Sequence, residues 1–330
     1  MEYQIIKDKF IGAVLGTFVG DALGRPFEGA PPGKGWTENG EEIERVFSGV
    51  YTDDTEMTLI LAESLLECKG LDTARLAMRF SRGCHPERGY AWGAIRCLKA
   101  IAQGVAWHQA AQIVFPDGSF GNGAAMRVAP VGVFFHDDFY QLRKAAHDQA
   151  LITHSHPLGV GGAILQAAAI AVATRADPRE NPRGETFIES VRGAVGNISK
   201  DYLQVLDDVE TLLYSDPKPE PLQIALNLGH EVTAPRSVPA ALYAFLRSNL
   251  SFREVVIGAI SLGGDADTIG AMAGAVAGAY HGVSGIPERW MEQLENGERG
   301  RDFALGLAES LFELWKLRQK EKNTSLSIGR

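Results

Sequence analysis

Only three cysteines occur in the 330 residues, Cys68, Cys84 and Cys97, and they form neither a CxxC pair nor an even framework. That argues against a disulfide-stapled secreted fold and points to a cytoplasmic protein with reduced thiols. Basic charge is also short: 32 Lys and Arg against 41 Asp and Glu leave a formal net charge of −9. A broad grip on nucleic acid or anionic lipid needs a basic face to release counterions, so neither is expected as a partner. The most membrane-like stretch, Phe10 to Val19, is too short to span a bilayer and is followed at once by Asp21. No charged-then-apolar leader with a cleavage site is seen, and no membrane segment is expected. Period-two alternation bounded by hairpin turns is scarce, which leaves little for a β-sheet.

What is present is helical. Apolar residues recur at three and four, with charges opposite, over Asp54–Glu67, Leu158–Arg175, Ile188–Tyr214 and Asp302–Lys320. Gly12, Gly16, Gly20 and Gly24 recur every four residues, and the same interval returns at Gly270, Gly274, Gly278 and Gly282. Each row falls on one helix face. Glycine costs about 1 kcal/mol in a helix interior relative to alanine, so a row of them predicts close approach of another backbone. Loops are predicted over 25–53, 115–123 and 229–239. With 45% hydrophobic residues the chain can bury a large core. No internal boundary is visible, because the polar stretch 177–186 has the length of a surface loop. The expectation is one all-α domain over 1–330, with its core at roughly 9–320 and a fraying tail at 321–330. A monomer is the default.

Two acidic clusters open helices. Tyr51-Thr52-Asp53-Asp54-Thr55-Glu56 precedes the run starting near Met57, and Gly263-Gly264-Asp265-Ala266-Asp267-Thr268 opens the small-residue helix that ends near His281. One Asp or Thr satisfies an N-cap, whereas each segment supplies two aspartates and at least one hydroxyl. Adjacent carboxylates repel unless something positive lies between them. If the fold joins the clusters, four carboxylates and several hydroxyls suit hard divalent cations such as Mg²⁺, Mn²⁺ or Ca²⁺, and two ions roughly balance the charge. Other readings of the second cluster fail. An EF-hand loop starting at Asp265 finds Ile269 at position five and Val276 where a bidentate Glu is required. A phosphatase-type Asp-x-Asp-x-Thr motif finds Ile269 at the Thr position, and a phosphohexomutase loop would end in Arg.

Taken in order, Gly20-Asp21-Ala22-Leu23-Gly24 with Glu28, Thr52-Asp53-Asp54-Thr55, Gly121-Asn122-Gly123-Ala124-Ala125-Met126-Arg127, Thr153-His154-Ser155 and Gly264-Asp265-Ala266-Asp267-Thr268 resemble the ADP-ribosylglycohydrolase family over roughly residues 9–282. The resemblance implies a compact orthogonal helical bundle with a binuclear Mg²⁺ or Mn²⁺ site. Thr52, Asp53 and Asp54 would form one half of it, and Asp265, Asp267 and Thr268 the other. It makes Glu28 the acid/base residue, since glycoside cleavage passes through an oxocarbenium-like state and needs a carboxyl group to manage the leaving oxygen or the attacking water. Gly118, Ser119, Phe120, Gly121 and Asn122 look like the family's loop around the diphosphate and distal ribose, where glycines let backbone amides approach phosphate. Phe120 matches a position often held by an aromatic that stacks on adenine. His154 matches a residue near the phosphate, while His156 has no such support. Asp21, inside an apolar helix, needs a partner and is expected to support the metal cluster.

The resemblance implies hydrolysis at the anomeric carbon of ADP-ribose, with an ADP-ribosylated protein or a small ADP-ribose conjugate as partner. The alternative from another class is a non-catalytic ADP-ribose-binding or crystallin-like member. Arg88-Gly89-Tyr90 followed by Gly93, together with Ser237 to Phe245, resembles the branch that acts on serine-linked, polymeric and O-acetylated ADP-ribose, which would place Gly89 and Val232 against the substrate. Arginine-specific bacterial members tend to carry an aspartate near the first of these positions, and none lies between Arg75 and Pro116. O-linked substrates are therefore expected, with ADP-ribosyl-arginine hydrolysis as the alternative.

Overall fold

A computed structural model of the chain describes residues 2–34, 40–177, 184–196, 200–247 and 251–328. Among the described residues there is no strand, only an isolated bridge between Gly121 and Thr233, and the architecture is all-α. The helices that build and back the site are α1 (Tyr3–Gly24), α2 (Asp53–Cys68), α3 (Thr73–Arg82), α4 (Trp92–Ala102), α5 (Pro157–Arg175), α6 (Gly184–Val195), α7 (Lys200–Leu213), α8 (Ala234–Leu246), α9 (Ala266–His281) and α10 (Arg301–Ile328).

The centre is the antiparallel pair α1 and α9. Every residue of α1 from Lys9 to Gly24 is buried, as is every residue of α9 from Ala266 to Tyr280, so both helices pack on all sides. The two glycine rows face each other: a Cβ on Gly12 would collide with the Gly278 carbonyl, one on Gly16 with Gly274, and one on Gly20 with Gly270. The close approach implied by the spacing is thus made by one row upon the other. Because the pair is antiparallel, the C-terminal end of α1 meets the N-terminal end of α9, which carries the second acidic cluster.

α5 is long and apolar enough to cross a membrane, with a mean hydropathy of 1.6, but 83% of that window is buried inside the protein. It, rather than Phe10–Val19, is the most membrane-like stretch, and it is a core helix. Gln166 Nε2 ties it to the Met272 carbonyl of α9 at 2.9 Å, and Lys9 Nζ caps its last turn by donating to the Ala173 and Ala176 carbonyls at 2.9 and 2.5 Å.

Several local expectations need correction. The run Ile188–Tyr214 is two helices, α6 and α7, because Gly196 takes a left-handed backbone (φ +63°) that ends the first. The loop expected over 229–239 gives way to α8 at Ala234. Pro235 sits in its first turn, where a missing N–H is harmless, and Pro239 is accommodated further in. The last helix outruns the periodic stretch Asp302–Lys320: α10 continues to Ile328, with no Gly or Pro between Lys320 and Gly329. Of the polar stretch 177–186, residues 178–183 lie outside those described, and α6 begins at Gly184.

Candidate active site

The first acidic cluster is fixed by Asp21. Wholly buried in α1, it accepts the Thr52 amide at 3.0 Å on each oxygen, the Thr55 amide at 3.1 Å and Thr55 Oγ1 at 2.5 Å. A buried carboxylate is tolerable only with such donors, and here they are the first-turn groups of α2 that a helix leaves unpaired. Burial still pushes its carboxyl up to about 6, against the pull of the threonine hydrogen bonds. Thr52 caps α2, its side chain accepting the Asp54 amide.

The second cluster is set by a tight turn. Gly263 and Gly264 both have positive φ, +66° and +62°, and a Cβ on Gly264 would strike the His230 carbonyl. That carbonyl accepts the Asp265 amide at 2.8 Å. The same turn holds the chain beyond the end of α1: the Gly29 amide donates to Gly264 O at 2.7 Å, and the Gly264 amide donates to Ala30 O at 2.8 Å. Glu28 is thereby carried to the cluster by a reciprocal backbone pair.

The two clusters meet. Asp54 Oδ2 accepts Thr52 Oγ1 at 3.1 Å and, from the other cluster, Thr268 Oγ1 at 3.3 Å. Asp265 Oδ2 accepts Asn122 Nδ2 at 2.5 Å, and Asp267 Oδ1 accepts the Thr268 amide at 2.9 Å. Burial, and then the neighbouring carboxylates, hold Asp54 and Asp267 well above the usual carboxylate range and raise Asp53 to about 8. Asp265 is raised by burial, against the opposing Asn122 hydrogen bond.

These groups line one cavity of about 280 Å³, together with Glu28, Gly89, Ser119, Gly121, Asn122, His154 and Val232. Gly118 and Phe120 do not line it. Gly118 turns the chain at φ +85° against Ser155 and His156, and Phe120, 46% exposed, lies with its ring centroid 5.4 Å from that of His156. His156 Nδ1 accepts the Leu158 amide at the start of α5. His154 packs its ring against Gly121 and Gly123, bonds Thr153 Oγ1 through Nδ1 at 2.7 Å, and is held neutral: burial, and then the Arg127 charge, push its imidazole down to about 3.

Much of the cavity wall escapes motif reading. Met57, Ala91, Gly93, Ala94, Cys97, Ala111, Val114, Phe115 and Met126 make an apolar side, in which the missing side chain of Gly93 makes room for the Phe115 ring. Arg127, wholly buried, lies at the same cavity. Its Nε donates to Gln149 Oε1 at 2.7 Å, its Nη2 to Gln149 O at 2.9 Å, and its guanidinium carbon stands 4.5 Å from the Phe80 ring centroid. A larger groove of about 660 Å³ beside α2 and α3 is lined by arginines and glutamates, several paired with one another, and carries none of these donors.

Among the described residues no three His, Cys, Asp or Glu side chains close on a single point as a ready-made metal cage. The donors instead form two facing half-sets, each a carboxylate pair with a threonine hydroxyl. Asp54 Oδ1 is buried with no hydrogen-bond partner, and an orphaned carboxylate oxygen in a mutually repelling cluster is what a hard cation would satisfy. The donor set therefore fits hard divalent ions.

A family model described as ADP-ribosylglycohydrolase matches residues 2–321. The ADP-ribosylhydrolase ARH3 of Gallus gallus is 31% identical over 93% of this chain and 93% of its own. The ADP-ribosylarginine hydrolase Tri1 of Pseudomonas putida is 27% identical over 87% of this chain and 74% of its own. A solved structure titled ADP-ribosylglycohydrolase-related protein complex superposes with a TM-score of 0.71 at 30% identity, covering 94% of this chain and 99% of that one.

Proposed function

Since the chain belongs to the ADP-ribosylglycohydrolase family and is a hydrolase, we propose that this cavity releases ADP-ribose from O-linked conjugates, serine-linked, polymeric or O-acetylated, with two Mg²⁺ or Mn²⁺ ions as cofactors. The observation that carries the reading is the convergence of both acidic clusters and Glu28 on one cavity. Thr52, Asp53 and Asp54 would hold one ion, and Asp265, Asp267 and Thr268 the other. Bound there, the ions supply Lewis acidity and orientation at ribose hydroxyls and a water. Glu28 manages the proton at the reacting bond, donating to the leaving oxygen or taking a proton from the attacking water. Ser119 offers its hydroxyl to the diphosphate beside a neutral His154, on a loop that the Gly121 and Asn122 amides hold by donating to Ser119 Oγ and the Val232 carbonyl, and Val232 lines the cavity with them.

The O-linked preference rests on the lining itself. Among the described residues no carboxylate beyond Glu28 and the four aspartates lines the cavity, so none of them is free beside the reacting bond to welcome a guanidinium leaving group, whereas a serine oxygen needs the proton that Glu28 can give. The likeness to Tri1 keeps arginine-linked substrate as the second reading. Initial rates of ADP-ribose release from matched serine- and arginine-modified peptides decide between them. Faster release from serine supports the proposal, a clear arginine preference overturns the branch, and no release from either overturns the catalytic reading.

A further inference from the structure

The loop that brings Gly89 to the first acidic cluster is held from behind by a residue far along the chain. Glu295, just after the short helix Glu288–Gln293, takes the Arg88 guanidinium on both oxygens, Nη1 to Oε1 at 2.5 Å and Nη2 to Oε2 at 3.3 Å. Its Oε1 also accepts the Tyr51 amide at 3.1 Å, and its own amide donates to Gly49 O at 2.9 Å. Arg88 Nη1 donates to Tyr51 O at 3.0 Å, with its guanidinium carbon 3.7 Å from the Tyr51 ring centroid. Tyr51 immediately precedes Thr52-Asp53-Asp54, and Arg88 immediately precedes Gly89. One bidentate ion pair therefore joins the two segments that meet where a Cβ on Gly89 would lie 3.8 Å from Asp53 Oδ1. Its side chains are only 24% and 27% exposed, which shields the pair from full solvent screening. On the other side of the loop, buried Glu56 accepts the His85 amide at 3.1 Å and Tyr90 Oη at 2.8 Å, so that both ends of the loop are tied to α2.

We propose that Arg88 and Glu295 are positioning residues for hydrolysis: a latch that presses Gly89 against Asp53 and so fixes the geometry of the reacting end of the cavity without touching substrate. The latch rests on the reading above, in which the acidic clusters hold the ribose. Ser119, Gly121, Asn122, His154 and Val232, which line the rest of the cavity, make no hydrogen bond to Arg88 or Glu295. Loosening the latch therefore leaves binding of ADP-ribose largely intact while misaligning the reacting bond, and a displacement of about 1 Å there is enough for a loss on the order of 10²-fold.

The test is kcat on a serine-modified peptide, set beside ADP-ribose Kd and melting temperature, for wild type, Arg88→Ala, Glu295→Ala and the double variant. The expected result is a kcat lower by roughly 10- to 100-fold in each single variant, a Kd within about threefold, and a double variant no worse than either single, as for two ends of one contact. Glu295→Gln, which keeps an acceptor for the Tyr51 amide but loses the charge, is the variant to measure should the alanine forms not fold, and it is expected to lose part of kcat with Kd spared. Wild-type kcat in these variants, whatever their melting temperature, overturns the latch alone. A parallel loss of kcat and affinity also overturns it. A wild-type chain inactive on every ADP-ribose conjugate overturns the functional reading, and the latch with it.

Discussion

Replacing Gly20 by alanine sets two effects of opposite sign against each other. In an open helix the change stabilises by about 1 kcal/mol, because glycine has more backbone freedom to lose. Here the new Cβ would stand 2.8 Å from the Ala271 nitrogen and nearer still to the Gly270 carbonyl, well inside carbon contact distance. Both obstacles are backbone, so no side-chain rotamer can give way, and α1 and α9 must part while both are buried on every side. Overpacking of this kind typically costs about 1–3 kcal/mol and occasionally more, and with backbone on both sides the upper end applies. Subtracting the propensity gain leaves a net loss of about 2 kcal/mol. Gly306 is the control. It lies in α10 with nothing within 4 Å of a Cβ, so Gly306→Ala should gain up to about 1 kcal/mol. Urea unfolding midpoints at constant m measure both. A Gly20→Ala protein as stable as wild type would refute the argument that the glycine rows exist for backbone contact. Because Asp21 is the next residue, hydrolysis should fall with stability, and the effect on turnover reads how far the cluster moves with the helix.

Three further outcomes follow from the site and its supports. EDTA should abolish hydrolysis and lower the melting temperature, with Mg²⁺ or Mn²⁺ restoring both, since a cation that binds only the folded chain at about a hundredfold over its Kd adds roughly 2.7 kcal/mol; full activity after chelation, with metal content measured, contradicts the cofactor proposal. Glu28→Gln should keep ADP-ribose affinity within a few-fold while losing on the order of 10²–10⁴ in turnover, whereas Asp267→Ala loses both, as calorimetry and rate measurements can separate; wild-type turnover in Glu28→Gln would move the acid/base role elsewhere. Lys9, 1% exposed, has its ammonium pushed by burial from 10.5 down to about 8, so between those pH values the unfolded chain binds more protons than the folded one and stability contributed by this group rises with pH. The Lys9→Met variant should lack that rise, and identical pH profiles for the two proteins over pH 8 to 10.5 would show that the buried amine is not the source.

The acidic clusters were legible because each is contiguous: a cap, two carboxylates and a hydroxyl fall within a few residues at a helix start, where their excess over capping need is visible. Their meeting was not legible from spacing. It follows from the pairing of the two glycine rows with each other in antiparallel sense, whereas each row by itself says only that some backbone comes close. Errors came where one local signal was outweighed. The apolar period of 188–214 runs through Gly196, so periodicity ran on past the left-handed residue at which the first of two helices ends. The prolines of 229–239 read as loop, yet Pro235 occupies the helix position in which proline is favourable. Glu295 and Phe115 carry no motif at all; each is an ordinary residue type whose place is given only by which segments the fold lays beside it.

Arg127 shows what the assembled cavity adds to its parts. As the last residue of a glycine-alanine run it reads as sequence context, but the fold buries its guanidinium, which among the described residues bonds Gln149 and the Met57 sulfur, and burial lowers its pKa to about 9, so it is still largely charged at neutral pH. That cation lines the same cavity as His154, whose imidazole it helps keep neutral, and as the carboxylates, with Asp53 among the charges that act on it. A ligand that carries both an anionic group and hydroxyls finds a cation and hydroxyl-binding carboxylates in one cavity. On the function proposed above this cation is available to the diphosphate of the conjugate, and the apolar wall from Ala91 to Phe115 supplies the desolvated surroundings in which such a charge acts most strongly.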